Sequence, residues 1–473
     1  MTPSTAPQPA DPSLLAEMTG AGLDVATDAR SLEAARADKS GQRATGRPMA
    51  LVRAHSVADV QQCLRIAHAR GLPVVPRGAG TGLAGGAMGG AGRLVLDLAG
   101  LDRILEIDAA DGIAVVEAGV LNGDLNDALA PLGLWYAPDP ASRAICSIGG
   151  NIATNAGGLL CAKYGVTREA VLGLSIVLAD GTLLRTGRRT VKGVAGYDLT
   201  ALFTGSEGTL GVIVEATVRV RPLPPGAPVT VAAAFPDVEA AASACSAVTA
   251  ARLAPSILEL MGADAFSRVA DFLGPDALAG TPAADVAPGE SFVVAQCDGR
   301  GAAEEAAGVL AAFASHGGRV ELTEDAATGE RLLAIRRAFH GALEARGSVL
   351  IEDVSVPRSA LPAMFRAIEA ISARTGIPIP TIAHAGDGNL HPNFVVEGDE
   401  PDDAVWSAAD ELFRAALALG GTLTGEHGVG VLKRRWLADE LGPEQVEWQR
   451  RIKSLFDPSG ILNPDVMFEP GMS

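Results

Sequence analysis

Between residues 56 and 70, apolar side chains recur at Val57, Val60, Leu64, Ile66 and Ala67, a helical rhythm that stops at Gly71. Short apolar runs at 73–76 and 94–98 predict strands on either side of a glycine-rich stretch. Residues 104–107 and 114–116 predict a hairpin around Asp111-Gly112, and 172–178 with 182–185 predict another around Asp180-Gly181. A helix is expected over 122–132, whereas 138–158 is expected to carry little regular structure. A strand over 211–220 runs into Pro222, Pro224, Pro225 and Gly226, the strongest punctuation in the chain.

Beyond that break the texture changes. Strand 229–235, helix 238–251 and strand 256–261 predict a β-α-β unit, and 292–297, 302–314 and 319–322 repeat it, as in a ferredoxin-like sandwich. Residues 275–290 read as the loop between the halves. A third round predicts strand 348–356, helix 359–375 and strand 379–384, followed by helix 404–418. The fold class expected is α+β, with four parts: a tail and lead-in helix (1–47), a first domain (48–225), an α+β domain (226–420), and a closing segment (421–473) that returns to the first domain.

Composition narrows the function. The 473 residues exceed one small module, and 48% hydrophobic with 20% charged residues is an ordinary globular balance. No run of eighteen apolar residues predicts a membrane span. The first basic residue is Arg30, so the start lacks the cationic end of a secretory leader, and residues 1–11 read as a loose tail. A net charge of −18 argues against nucleic acid, and an anionic substrate would need local cations or a metal. Cys63, Cys146, Cys161, Cys245 and Cys297 show no CxxC spacing. This reads as a reduced cytoplasmic protein without a zinc ribbon or an iron–sulfur cluster of its own.

Glycine carries the chemical signal. Eight of the fifteen residues from Gly78 to Gly92 are glycine, and Gly80, Gly82 and Gly85 match GxGxxG. A dinucleotide-binding Rossmann loop would open a long helix here. Instead four more glycines follow between Gly86 and Gly92, each costing about 1 kcal/mol in a helix, before a strand begins. That context excludes the Rossmann reading. Bare backbone N–H groups can still form a concave nest for a diphosphate, with Arg77 at its rim. A flexible surface loop accounts for this one motif equally well.

Two further segments decide between them: CSIGGNIATNAGG (146–158) and GSEGTLGVIVEA (205–216). In this order and spacing, together with KGVAGYDLT (192–200), they resemble the FAD-binding domain of the vanillyl-alcohol oxidase superfamily. The closest resemblance is to its D-2-hydroxyacid branch, which holds D-lactate dehydrogenase, the glycolate oxidase flavin subunit and D-2-hydroxyglutarate dehydrogenase. The resemblance implies that Arg77, Gly78, Ala79, Gly80, Thr81 and Gly82 wrap the diphosphate. It further implies that Ser147, Gly149, Gly150, Asn151, Asn155, Gly157, Gly158, Glu207, Gly208, Gly211 and Ile213 contact ribose and flavin. No histidine lies between His68 and His316, so the FAD is expected to be non-covalent. Lys192, Tyr197 and Asp198 read as structural or near-flavin support.

Three of the seven histidines fall in HAGDGNLH (His384, His391) and GEHG (His427). A two-residue turn at Asp387-Gly388 would set His384 opposite His391, with Cβ atoms roughly 4.5–5.5 Å apart, close enough to share a divalent ion. Asn393 would lie on the same face. Glu426 could add a third, anionic ligand, and two imidazoles with one carboxylate leave positions open for substrate. Alone this spacing is weak. The resemblance strengthens it, implying His384, His391 and Glu426 as ligands of a zinc, manganese or iron ion and His427 as the base. It also implies that Arg336, rather than Arg337, binds the substrate carboxylate, although a solvated helix face would explain this basic pair too. His340 and Ile351 stand where the 2-hydroxyglutarate enzymes carry a threonine and a lysine. That departure tilts the expected substrate toward D-lactate, glycolate or another short monocarboxylate, with His340 and Asn393 as further contacts. Asn463, in ILNPD, is expected to return the tail to the flavin domain and to the cofactor, although the proline and glycine context there would equally suit a plain turn.

The reaction expected is oxidation of a D-2-hydroxyacid to the 2-oxo acid, the hydroxyl proton leaving to His427 and hydride passing to the flavin. Electrons would leave to a quinone or an acceptor protein. Two rivals stand beside this reading: a flavin subunit of a multiprotein complex with an iron–sulfur partner, inactive alone, and a metal-free oxidase of sugar alcohols or aldonolactones. Any membrane association would run through such a partner.

Overall fold

The computed structural model describes residues 11–396, 398 and 401–469. The tail expected over 1–11 therefore lies outside the described residues except for Asp11. The chain divides into two compact units, one running to Ala156, resuming at Val166–Leu223 and closing from Glu426 onward, the other made of Gly157–Gly165 and Pro224–Gly425. This division gives the short stretch 157–165 to the second unit, which the sequence reading did not do.

In the first unit, Ser56 caps the helix Val57–Arg70 by accepting the Asp59 N–H, and Gly71 ends it at φ 61°, a left-handed conformation that costs glycine little. Its buried face, with Val60, Leu64 and Ala67, packs on Val52, Val74 and Leu96. These belong to a sheet whose strands run in the order Asp24–Ala26, Ala50–Arg53, Leu94–Asp97, Val74–Arg77; the last three are parallel and the first is an antiparallel edge. The lead-in thus supplies a helix, Pro12–Gly20, and that edge strand. A second, antiparallel sheet runs Ile104–Asp108, Ile113–Glu117, Val212–Arg219, Val171–Val177, Leu183–Gly187, and contains both expected hairpins.

One expectation fails in this unit. Residues 138–158 are not without regular structure, because Ile148–Thr154 is a helix. Ser147 caps it by accepting the Gly150 N–H, Asn155 closes it at φ 53°, and Ile148 with Ile152, four apart, bury one face. Its glycines serve close approach rather than flexibility. A Cβ on Gly149 would stand 2.8 Å from the Ala118 carbonyl oxygen.

In the second unit the first four strands lie in the order Arg319–Thr323, Val229–Phe235, Ser291–Cys297, Ile257–Met261, all antiparallel neighbours, which is the ferredoxin-like arrangement expected. The sheet then continues through Thr381–His384, Asn389–Val396 and Ser348–Ile351. The single strand expected over 348–356 is broken: Val354–Ser355 is a separate piece, and between the two sits Asp353, whose carboxylate accepts from Asn389 and Thr424. The loop expected over 275–290 holds a short helix, Pro275–Leu278, and a 3-10 turn, Pro282–Asp285. No helix among the described residues is long and apolar enough to cross a membrane.

Candidate active site

In the first unit, four distant stretches of chain are fastened together. The strand ending at Arg77 releases a loop in which the amide groups of Gly78 to Gly86 donate to no protein acceptor among the described residues. Such a run of unused N–H donors is what a diphosphate nest requires. Gly80 (φ 68°) lies directly under the Arg77 guanidinium, which a Cβ there would push aside, and that guanidinium donates to the Ala87 carbonyl at 2.7 Å. A Cβ on Gly78 would stand 2.5 Å from Ser147 Oγ, so the loop and the cap of helix Ile148–Thr154 touch. The amides of Gly205 and Glu207 donate to the carbonyls of Ile152 and Ala153, bringing in the third motif.

The closing segment completes this cradle. Asn463 Nδ2 donates to the Gly86 carbonyl at 2.9 Å and to the Glu207 carbonyl at 2.7 Å, and the Asn463 amide donates to Val74. Val431 donates to Ala84. The Glu207 carboxylate receives the amides of Val429 and Gly430 at 2.7 and 2.8 Å, so it holds the loop that begins with Glu426 and His427. Burial pushes the Glu207 carboxyl up to about 7, against the opposing pull of those two amides and of the Lys433 charge. The His427 Nε2 and Glu426 Oε1 atoms stand 3.8 Å apart, too far for a hydrogen bond.

These residues fit FAD: an unspent N–H nest, a cation at its rim and glycines where backbone must pass closely. Of those expected at the cofactor, Arg77 to Gly82, Ser147, Gly149, Gly150, Asn151, Asn155, Glu207 and Gly208 all belong to this fastened region. Gly211 immediately precedes the core strand Val212–Arg219, on which Ile213 stands. The Ile213 side chain is buried among apolar neighbours, which leaves only its main chain for a ligand. Gly157 and Gly158 belong to the second unit. Of the three residues expected as structural or near-flavin support, one has a structural role. Tyr197 is 96% exposed and Lys192 is also exposed, so neither braces the core, which leaves the near-flavin half of that expectation untouched, whereas Asp198 caps the helix Leu199–Phe203.

In the second unit, His384 and His391 share one face, their ring centroids 5.1 Å apart and the planes at 85°. The turn between them differs from expectation. His384 pairs with Asn389 and Ile382 with His391, so the connection is the four-residue loop 385–388 and not Asp387-Gly388 alone. Ala385 and Gly386 both donate to Leu258 on the neighbouring strand, and Gly388 donates back to His384, which fixes this longer loop. A shift of two residues leaves every side chain on its original face, so the two imidazoles meet diagonally. Asn393 lies on that face, its amide donating to the His391 carbonyl, and Ile351 is directly across from it.

Behind the histidines is a residue the sequence reading passed over. Glu259 lies opposite His384 across the sheet, and its Oε1 is 2.7 Å from His384 Nδ1. Its Oε2 is 2.7 Å from an Arg336 nitrogen, a close charge contact although not angled as a hydrogen bond. Arg336 itself is buried, and its Nε meets no acceptor among the described residues. The signal was present in ILELM, where one carboxylate sits amid buried aliphatics and needs a partner there. His340, by contrast, is exposed and lies 3.0 Å from Glu344, four residues on along its helix.

Comparison with known proteins bears on both units. The FAD binding domain family matches residues 48–187, and the family described as FAD linked oxidases, C-terminal domain, matches 224–467. Glycolate oxidase subunit GlcD of Bacillus subtilis (strain 168) is 39% identical, covering 89% of each chain. D-2-hydroxyglutarate dehydrogenase of Xanthomonas citri pv. viticola is 37% identical, covering 90% of this chain and 91% of its own. D-lactate dehydrogenase of Anaerostipes hadrus is 33% identical, covering 88% and 89%. The solved structure of p-cresol methylhydroxylase with substrate bound superposes with a TM-score of 0.80 at 19% identity, covering 98% of this chain and 99% of that one, a likeness of fold. With the glycine segments, the fastened cradle and these relatives in agreement, the chain belongs to the FAD-linked oxidases, an oxidoreductase family of the vanillyl-alcohol oxidase fold.

Proposed function

We propose that this chain oxidises a short D-2-hydroxyacid, D-lactate or glycolate, to the 2-oxo acid, with a divalent ion held by His384, His391 and Glu426. The observation that carries the reading is the facing histidine pair backed by a buried carboxylate and a buried arginine. Covalent continuity supports the third ligand. Thr424 donates to Asp353, which also receives Asn389, a residue on the strand and face of His391. Glu426 is two residues further, so its Cα lies within about 7 Å of that of Thr424.

FAD, when bound, supplies the two-electron acceptor for the C2 hydride. A divalent ion, when bound, supplies positive charge to the hydroxyl and carboxylate oxygens of the substrate. Arg336 offers its guanidinium to the substrate carboxylate, and its unused Nε–H suits that task. His427 takes the hydroxyl proton, which leaves C2 to give up the second hydrogen. Ile351 opposite Asn393 presents a hydrocarbon surface where a longer diacid would need a cation, which favours a short monocarboxylate.

A reading as the flavin subunit of a larger complex is favoured by the word "subunit" in the name of the Bacillus relative. A quinone or an acceptor protein would then receive the electrons, through an iron–sulfur partner where the chain is one of several subunits. Stopped-flow bleaching of the flavin band by a panel of D- and L-hydroxyacids tests the proposal. Reduction by D-lactate or glycolate, lost on chelation and in His427→Ala with FAD retained, is expected. Full reduction in His427→Ala would remove that residue from the chemistry, and chelator-resistant oxidation of sugar alcohols would overturn the proposal.

A further inference from the structure

We propose that Glu259 is the positioning residue of this site, one carboxylate that orients both the metal-binding imidazole and the substrate-binding guanidinium. The inference rests on the reading of His384 as a ligand and adds a residue that no motif marks.

The argument begins with what a carboxylate can do. It only accepts, so a 2.7 Å contact from Oε1 to His384 Nδ1 requires Nδ1 to carry the hydrogen. The lone pair is then on Nε2, and the ring is set in one tautomer and one orientation, as carboxylates behind metal-ligating histidines characteristically do. The second oxygen stands 2.7 Å from Arg336. All three side chains are buried, so each charge depends on the other. The backbone registers the triad. Glu259, in the five-residue strand Ile257–Met261 that is buried throughout, is the cross-strand partner of His384 at the end of Thr381–His384, and Arg336 comes from the last turn of the helix Ala326–Arg337. A rotation of the carboxylate that relaxed one contact would strain the other. Metal affinity and carboxylate recognition therefore share a single support.

The test must separate positioning from simple loss of fold, because removing Glu259 alone leaves Arg336 buried without a countercharge. In an Arg336→Met background that charge is absent, and residue 259 can be varied as Glu, Gln and Leu. Zn2+ is titrated into the metal-free full-length chain in competition with a chelator. Glu259→Leu is expected to weaken Zn2+ binding 10- to 100-fold, while Glu259→Gln, whose amide oxygen still accepts from Nδ1, recovers most of the loss. With Arg336 retained, Glu259→Gln at saturating Zn2+ is expected to raise KM for D-lactate at least fivefold with kcat changed less than twofold. Equal Zn2+ affinity across the three residues would overturn the role of Glu259 alone. A Zn2+ affinity indifferent to His384→Ala would overturn the metal reading and this inference with it.

Discussion

The Glu207 carboxylate accepts the amides of Val429 and Gly430, and it should therefore control the loop that carries Glu426 and His427. Removing it in Glu207→Ala strands two buried N–H groups, each costing about 1–3 kcal/mol. A loop opening easier by about 3 kcal/mol means roughly 100-fold faster amide exchange. The pH dependence is more discriminating. Burial raises this carboxyl from 4.5 to about 7 in the folded chain. A raised folded-state pKa gives stability that is fully present below 4.5 and lost as pH climbs to about 7. The loss amounts to about 3 kcal/mol. Glu207→Gln cannot titrate, so the wild-type loop should become progressively looser than that of the variant between pH 5 and pH 8. Hydrogen exchange of the peptide spanning 428–431, followed by mass spectrometry and corrected for intrinsic rates, reads this directly. Parallel pH profiles for the two proteins would refute the argument that burial outweighs the two amide donors.

Other perturbations test other links. Gly80→Ala places a methyl against the Arg77 guanidinium at a positive φ, and FAD affinity by fluorescence titration should fall at least tenfold. Asn463→Gly keeps the left-handed backbone (φ 41°) but deletes two hydrogen bonds, and should cost about 1–3 kcal/mol in urea unfolding of the FAD-loaded chain. Ile351→Lys introduces a cation across from Asn393, and kcat/KM should shift toward D-2-hydroxyglutarate and away from D-lactate by tenfold or more.

Where sequence reading succeeded, local chemistry and tertiary structure agreed. Ser56 and Gly71 delimit their helix by cap and left-handed turn, and the two β-α-β patterns after the proline cluster lie in the sheet order their spacing suggested. It failed where a neighbour outvoted the local signal. Asp387-Gly388 looks like a tight turn, but Leu258 draws Ala385 and Gly386 into a longer loop. The glycines of 148–154 look like helix breakers, yet the Ser147 cap and the close pass over Ala118 select a helix. The histidine face survived the register error because the slip was an even number of residues. Glu259 escaped because its partners, His384 and Arg336, lie 125 and 77 positions away, beyond the reach of any motif.

The bond from Asn463 to Val74, and the bridge of Leu462 beside it, mean that the first parallel sheet receives its last contact from nearly the far end of the chain. A ribosome extruding this polypeptide at 5–20 residues per second would hold an unfinished flavin pocket for roughly 20–80 seconds. Closure of the cradle is thus a late event in biosynthesis, and a frameshift just after Gly425 would release a product whose second unit is whole but whose dinucleotide cradle never closes.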